Sequence, residues 1–98
     1  MRDLVLHLKR EYWEAIRDGR KTHEFRMQTP YWNRRLGHAD IERIVLCLGY
    51  PKRGDESRRL YRKWNGYTPA IITHKVFGVN SGPVEVWAID VTEEWKND

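Results

Sequence analysis

The residues best suited to chemistry lie between Gly19 and Arg26, in the run GRKTHEFR. Glu24 and Arg26 are two positions apart on a β-prone segment, so their side chains leave one face of a strand about 7 Å apart. A carboxylate and a guanidinium at that spacing can pair with each other, or can bind a heterocycle edge and a phosphate respectively. Lys21 adds a mobile positive charge at the corner before the strand. Because solvated ion pairs worth under ~1 kcal/mol have the same spacing, the pattern alone leaves both interpretations open.

A second feature is the concentration of positive charge in residues 51–64. This segment holds six basic and two acidic residues, and the whole chain holds 18 Lys and Arg against 14 Asp and Glu. Removing the segment leaves 12 of each sign, so the entire net charge of +4 resides there. A concentrated basic patch favours contact with a polyanion such as RNA.

We predict a helix over residues 55–64 with a narrow apolar stripe and a basic exposed face. That face would present four side chains: Arg58, Arg59, Arg62 and Lys63. Such a face can track a phosphate backbone and give salt-dependent affinity. A solvated helix face without a partner is the alternative.

Aromatic side chains near predicted loops and strand ends can stack on nucleobases, for ~1–3 kcal/mol per base. The candidates are Tyr31, Trp32, Tyr50 and Tyr67. Most aromatic residues of so small a domain belong to its core, where we place Trp13 and Trp87. Trp32 is the one that we assign to the ligand site.

Composition limits the class of protein. Ninety-eight residues suit one domain, so we treat residues 1–98 as a single unit. Cys47 is the single cysteine, which excludes an intramolecular disulfide and is typical of a reducing compartment. The four histidines are scattered, so we expect neither a structural metal nor a cofactor. The longest apolar run, residues 44–48, is too short to cross a membrane, and no signal-peptide pattern opens the sequence. We therefore expect a cytoplasmic protein.

Hydrophobic periodicity predicts the elements that must position these residues. Strands are predicted at 4–8, 22–27, 43–50, 70–79 and 84–91, with a hairpin turn at 80–83. A first helix covers 10–18, the basic helix covers 55–64, and a helical turn runs from Thr92 to near Trp95. Residues 28–40 are predicted as a long loop.

Two details support these elements. Gly19 follows the first helix directly and fits the left-handed residue that commonly ends one. His7 and His74 lie on predicted strands, where they could exchange protons near neutral pH, although a lone strand histidine is more often structural. Five strands with an early helix and a late hairpin indicate an α+β fold. We expect a small, partly closed β-barrel with two or three short helices.

The pattern Gly19-x-Lys21-x-x-Glu24-x-Arg26, after a strand and a short helix, resembles the ASCH family of small domains related to the PUA fold. The resemblance covers the first third of the chain. It implies a PUA-like β-barrel with a cleft that contains the lysine, glutamate and arginine of the motif. It also implies an association with RNA. Segment 51–69 looks like an insertion relative to the shortest family members.

Two functions follow as expectations. The first is a binding domain for RNA or a modified nucleotide, with Lys21, Glu24 and Arg26 as its pocket and the basic helix along the phosphates. The second is a small hydrolase, either a ribonuclease or an N4-acylcytidine amidohydrolase, in which Lys21 and Glu24 do the catalytic work. The amidohydrolase branch of the family has a lysine at the position of Lys21 but a threonine where this chain has Glu24. A carboxylate cannot replace an activated hydroxyl in the same nucleophilic chemistry. A protein-interaction domain with an acidic partner is the third possibility.

Overall fold

The secondary structure is that of an α+β protein, as predicted. The computed structural model describes residues 2–73 and 82–96. Along these residues run six strands: β1 (Arg2–Leu8), β2 (His23–Met27), β3 (Ile41–Leu48), β4 (Arg59–Lys63), β5 (Tyr67–Ile72) and β6 (Val84–Asp90). Between them lie α1 (Arg10–Arg17), α2 (Pro30–Leu36) and a short 3-10 turn at Glu56–Arg58.

The strands form two three-stranded sheets that share one hydrophobic core. One sheet has the order β1-β3-β4, with β1 parallel to β3 and β4 antiparallel to it. The other is antiparallel and has the order β2-β6-β5. Leu6 of β1 and Leu46 of β3 are almost fully buried between them, because alternate residues of a strand face one side. Helix α1 adds Trp13 and Ile16 to the same cluster.

The two sheets are joined on one side by the chain that follows β6. Residues 93–95 run beside β4, with one antiparallel bridge between Arg62 and Glu94. The Lys63 N–H donates to the Glu93 carbonyl at 2.8 Å, and the Trp95 N–H donates to the Tyr61 carbonyl at 3.1 Å. Over the described residues the strands thus form two sheets and not one closed barrel, with β1 and β2 at open edges.

The predicted helical turn from Thr92 to Trp95 is wrong, because this stretch is extended. Thr92 does not cap a helix there. Its N–H and its hydroxyl both donate to Asp90 Oδ1, at 2.9 and 2.7 Å. These hydrogen bonds stabilise the turn after β6 that leads the chain toward β4.

The predicted basic helix over residues 55–64 is also wrong. Only residues 56–58 form a 3-10 turn, and strand β4 follows at once. In β4 Leu60 and Arg62 face the core while Tyr61 between them faces the other side of the sheet, which is the period of two that a strand requires. Residues 59–63 form a strand because they pair with β3. This pairing gives the backbone of the apolar central strand β3 hydrogen-bond partners on its second side.

The predicted loop at 28–40 contains α2, so that prediction is wrong as well. Thr29 is its N-cap, and the hydroxyl oxygen accepts a hydrogen bond from the Trp32 N–H at 3.3 Å. Pro30 occupies the first helical position, where its fixed φ suits the helix and its missing N–H costs nothing. Leu36 then anchors the helix in the core at 1% exposure.

The remaining elements agree with the prediction to within a few residues at their ends. Helix α1 buries Trp13 and Ile16 as expected, and Gly19 has a positive φ of 79°. The predicted fourth strand begins earlier, at Tyr67, and its second half lies outside the described residues. So do His74 and the first half of the predicted turn at 80–83. In the described part of the chain, no helix is long and apolar enough to span a membrane.

Candidate functional site

Lys21, Glu24 and Arg26 converge on one another in the structure. Lys21 Nζ lies 3.5 Å from Glu24 Oε1, and Arg26 Nη1 lies 3.2 Å from Glu24 Oε2. The carboxylate is buried, with 7% of its side chain exposed, whereas the two cations are 19% and 20% exposed. We call these three side chains the ion cluster. With two positive charges and one negative charge, it carries a net charge of +1.

The end of α1 positions Lys21 in this cluster. Gly19 adopts its left-handed conformation just after the helix, and the N–H groups of Arg20 and Lys21 both donate to the Ala15 carbonyl, at 2.8 and 3.1 Å. These bonds satisfy a terminal helix carbonyl and turn the chain sharply toward β2. Lys21 therefore lies on the corner beside the first residues of the strand, within reach of Glu24.

Aromatic rings border the Lys21 side of the cluster. Lys21 Nζ lies 4.4 Å from the ring centroid of Phe25 and 5.4 Å from that of Tyr12, distances typical of cation–π contacts. Burial raises the pKa of the Tyr12 hydroxyl, and the negative charges of Glu11 and Glu24 raise it further. Tyr12 is therefore a neutral phenol at physiological pH.

Trp32 borders the Arg26 side. The Arg26 Cζ lies 5.2 Å from the Trp32 ring centroid, and the Arg35 Cζ lies 5.1 Å from it. Helix α2 carries both Trp32 and Arg35, so the segment predicted as a loop instead provides one wall of the site. Sequence reasoning missed Arg35, although its spacing of three residues from Trp32 would have been a signal once the helix was recognised.

The same two arginines contact the open edge of β1. Arg26 Nη2 donates to the His7 carbonyl at 3.2 Å, and Arg35 Nη2 donates to the Val5 carbonyl at 3.2 Å. Arg26 Nε is buried yet has no hydrogen-bond partner among the described residues. Since nearly all buried donors in proteins are satisfied, this N–H is suited to an acceptor that a ligand or a water molecule would bring.

Arg62 and Lys63, two residues of the predicted basic face, do not share a surface. Arg62 is 7% exposed, and its Nε donates to the Val91 carbonyl at 3.0 Å. Lys63 points outward, with its Nζ 3.8 Å from Glu93 Oε2. Arg62 thus ties β4 to the chain after β6, so its assignment to an exposed phosphate-binding face is wrong.

Arg58 and Arg59 do lie near the surface, on consecutive elements. Arg58 is exposed in the 3-10 turn and pairs with Asp55 at 3.3 Å. Arg59 begins β4, and its guanidinium donates to the carbonyls of Lys52 and Asp55, at 3.2 and 2.7 Å. The cavities that these two cations line include no residue of the ion cluster.

A cavity of about 480 Å³ opens beside Lys21. Thr22 and Arg62 also line it, together with the acidic Glu93 and Glu94. Next to Lys21 the Thr22 Oγ1 lies 2.8 Å from His23 Nδ1. The cavity therefore places a cation and a hydroxyl together on one wall.

Neither a metal centre nor a reactive thiol emerges from the described ranges. In residues 2–73 and 82–96, no three His, Cys, Asp or Glu side chains are grouped as a metal ion would require. Cys47 is buried in β3, and burial raises the pKa of its thiol. A thiol with a raised pKa is a weak nucleophile near neutral pH.

Comparisons of the chain with protein-family models, with curated proteins and with solved structures found no match.

Proposed function

We propose that this chain binds RNA or a modified nucleotide at the ion cluster, as an ASCH-type domain with a partly open PUA-like barrel. The observation that carries the proposal is the buried Glu24 carboxylate held between Lys21 and Arg26, beside the Trp32 ring. The barrel is supported by residues 93–95, which connect the two sheets at one side. The open edges of β1 and β2 would form the mouth.

Each residue of the site has a role that its chemistry supports. The Arg26 guanidinium binds a phosphate through its planar N–H groups, and Lys21 adds a second charge on the other side of Glu24. Each carboxylate oxygen has two acceptor positions, so Glu24 can hold its cations and still accept an N–H from a base, such as the amino group of cytosine. Trp32 supplies a ring face on which that base stacks.

Lys21→Ala should weaken the binding of cytidine 5′-monophosphate about tenfold, because it removes one of two charges next to the phosphate and the base. Isothermal titration calorimetry on the wild type and the variant measures the change. Arg20→Ala is the matched control. Arg20 is the neighbour of Lys21 in the chain and has the same charge, but it belongs to an exposed ion pair with Asp18. Equal losses in both variants, or a wild type that does not bind the nucleotide, would argue against the ion cluster as the site.

A hydrolase of the same fold is a second candidate, and the contact between Thr22 and His23 favours it. A hydroxyl hydrogen-bonded to an imidazole is the arrangement that activates an oxygen nucleophile, and Thr22 lies on the cavity wall next to Lys21. His23 would take the Thr22 proton as the oxygen attacks the acyl carbon, and Lys21 would stabilise the negative charge that develops. The imidazole would return that proton to the cytidine N4 as the carbon–nitrogen bond breaks, and water would then hydrolyse the acyl-threonine to release the acid.

Incubation with N4-acetylcytidine and with RNA, followed by chromatography of the products, tests this candidate. We expect any turnover to be lost in Thr22→Ala and retained in Thr92→Ala, a second threonine on the same cavity. Absence of turnover in the wild type would remove the hydrolase and leave the binding function standing.

A further inference from the structure

Tyr50 is the most exposed large hydrophobic residue of the described chain, at 86%. It follows β3 and stacks on the His7 imidazole, with ring centroids 4.2 Å apart and ring planes 19° from parallel. The Gly49 carbonyl accepts a hydrogen bond from His7 Nδ1 at 2.8 Å, which fixes the imidazole beneath the phenol. An aromatic ring is thus held in place with most of its surface in water.

The backbone before Tyr50 enforces this geometry. Gly49 has a φ of 63°, a conformation in which a side chain is strained, and its N–H donates to the Leu8 carbonyl at 2.9 Å. The chain therefore turns back from the end of β3 toward β1, and Tyr50 lies over His7. A ring positioned in advance loses little conformational entropy when a partner stacks on it.

Two cavities flank this ring pair, one of about 590 Å³ and one of about 360 Å³, and Tyr50 lines both. We call the ring pair with its two cavities the Tyr50 platform. Six basic residues line the cavities: Lys9, Arg10, Arg43, Lys52, Arg58 and Arg59. The acidic residues that line them are Asp3 and Asp55. The platform thus carries a net charge of +4, and the rest of the chain holds 12 basic and 12 acidic residues, from totals of 18 and 14.

Part of that charge is uncompensated locally. Among the described residues, neither Lys9 nor Lys52 has a carboxylate within ion-pair distance of its Nζ. Both are exposed on the larger cavity. Arg59 donates to the backbone carbonyls of Lys52 and Asp55. An anion that approaches Tyr50 over the larger cavity meets Lys9 and Lys52 without a competing carboxylate, whereas Arg10 and Arg58 on the same cavity pair with Glu14 and Asp55.

We propose that the Tyr50 platform binds single-stranded nucleic acid, with one base stacked on Tyr50 and the neighbouring phosphates over the larger cavity toward Lys9 and Lys52. Only a strand that alternates planar rings with negative charges uses both features of this surface, the presented ring and the surplus of cations. A base in a duplex is already stacked on both sides, so the platform selects unpaired segments.

The platform is a surface distinct from the ion cluster. Arg26 touches the backbone carbonyl of His7, whereas the ring of His7 faces Tyr50. In the proposed function one nucleotide occupies the ion cluster, whereas the platform spreads a ring and its cations over two cavities and so suits a strand with several phosphates. Because an RNA strand can also reach the ion cluster, the variants separate the two sites: Tyr50→Ala changes only the platform, and Lys21→Ala changes only the ion cluster.

Fluorescence anisotropy with a labelled eight-nucleotide oligouridylate, at 50 mM salt, tests the platform. We expect Tyr50→Ala to raise the Kd about tenfold, as loss of one stacked base does, and Tyr50→Phe to retain wild-type binding. Ile71→Ala is the control, because Ile71 is also an exposed large hydrophobic residue, at 67%, but lies on β5 in the other sheet. Binding of cytidine 5′-monophosphate should be unchanged in Tyr50→Ala.

The salt dependence provides an independent measure. In Lys9→Ala/Lys52→Ala, the slope of log Kd against log salt should fall by about 1.4, since each phosphate contact with a single strand contributes about 0.7. An oligodeoxyuridylate of equal length distinguishes RNA from DNA, and polyglutamate tests whether charge alone suffices. Equal losses in Tyr50→Ala and Ile71→Ala, no binding of either oligonucleotide, or equal binding of polyglutamate would overturn the proposal.

Discussion

Replacing Glu24 with alanine is expected to lower the free energy of unfolding by about 3 kcal/mol, the lower end of the range for breaking a buried ion pair. The variant leaves Lys21 and Arg26 close together with no carboxylate between them, and both cations are largely buried. Since they are about a fifth exposed, solvent screens part of their repulsion, which is why we choose the lower end. Urea unfolding followed by tryptophan fluorescence measures the loss.

Glu93→Ala is the control for this prediction. Its carboxylate also lies near a lysine, at 3.8 Å from Lys63 Nζ, but both side chains are more than half exposed. We expect a change below about 0.5 kcal/mol there, as for other surface pairs. Glu24→Gln should behave like Glu24→Ala, because the amide keeps the shape and loses the charge. A Glu24 variant as stable as the control would mean that the ion cluster contributes nothing to the fold.

Arg62→Ala should cost about 2 kcal/mol, whereas Lys63→Ala should change stability by less than about 0.5 kcal/mol. Arg62 is buried, and its Nε satisfies the Val91 carbonyl, so truncation leaves an unpaired acceptor and a space where the aliphatic stem packed. Lys63, the next residue, projects into solvent. Thermal unfolding by circular dichroism compares the two variants directly.

Different effects of Arg62→Ala and Lys63→Ala on stability would distinguish strand β4 from the exposed helix that the charge pattern predicts. In an exposed basic helix both substitutions would be nearly neutral. Arg62→Met should recover part of the loss, because its side chain fills the space but cannot donate to Val91. Equal stability of Arg62→Ala and Lys63→Ala would contradict the burial of Arg62.

The part of the site that the sequence predicts best is governed by local rules. Gly19 marks the end of α1 because the left-handed conformation there favours glycine. A spacing of two positions puts Glu24 and Arg26 on one face of any strand. The convergence of Lys21 on Glu24 follows from these neighbours alone. For the same reason α1 and its buried Trp13 are correctly predicted.

The errors occur where long-range pairing overrides local pattern. Residues 59–63 carry charged side chains that suit a helix surface, and the pairing with β3 that makes them a strand comes from residues 41–48, far away in the chain. At α2 the sequence does contain a local signal for a helix, because Thr29 followed by Pro30 is typical of an N-cap with proline at the first helical position. Once that helix is recognised, the spacing of three residues places Arg35 beside Trp32.

The arginines that donate to β1 have a consequence for how copies of the protein meet. A strand at the margin of a sheet offers free carbonyls on which another molecule can add a strand, and such growth leads to aggregates. Arg26 and Arg35 occupy two of these acceptors, at His7 and Val5. These two guanidiniums therefore protect the margin of the sheet, and a chain that lacks both would offer two unpaired carbonyls to a strand of a neighbouring molecule.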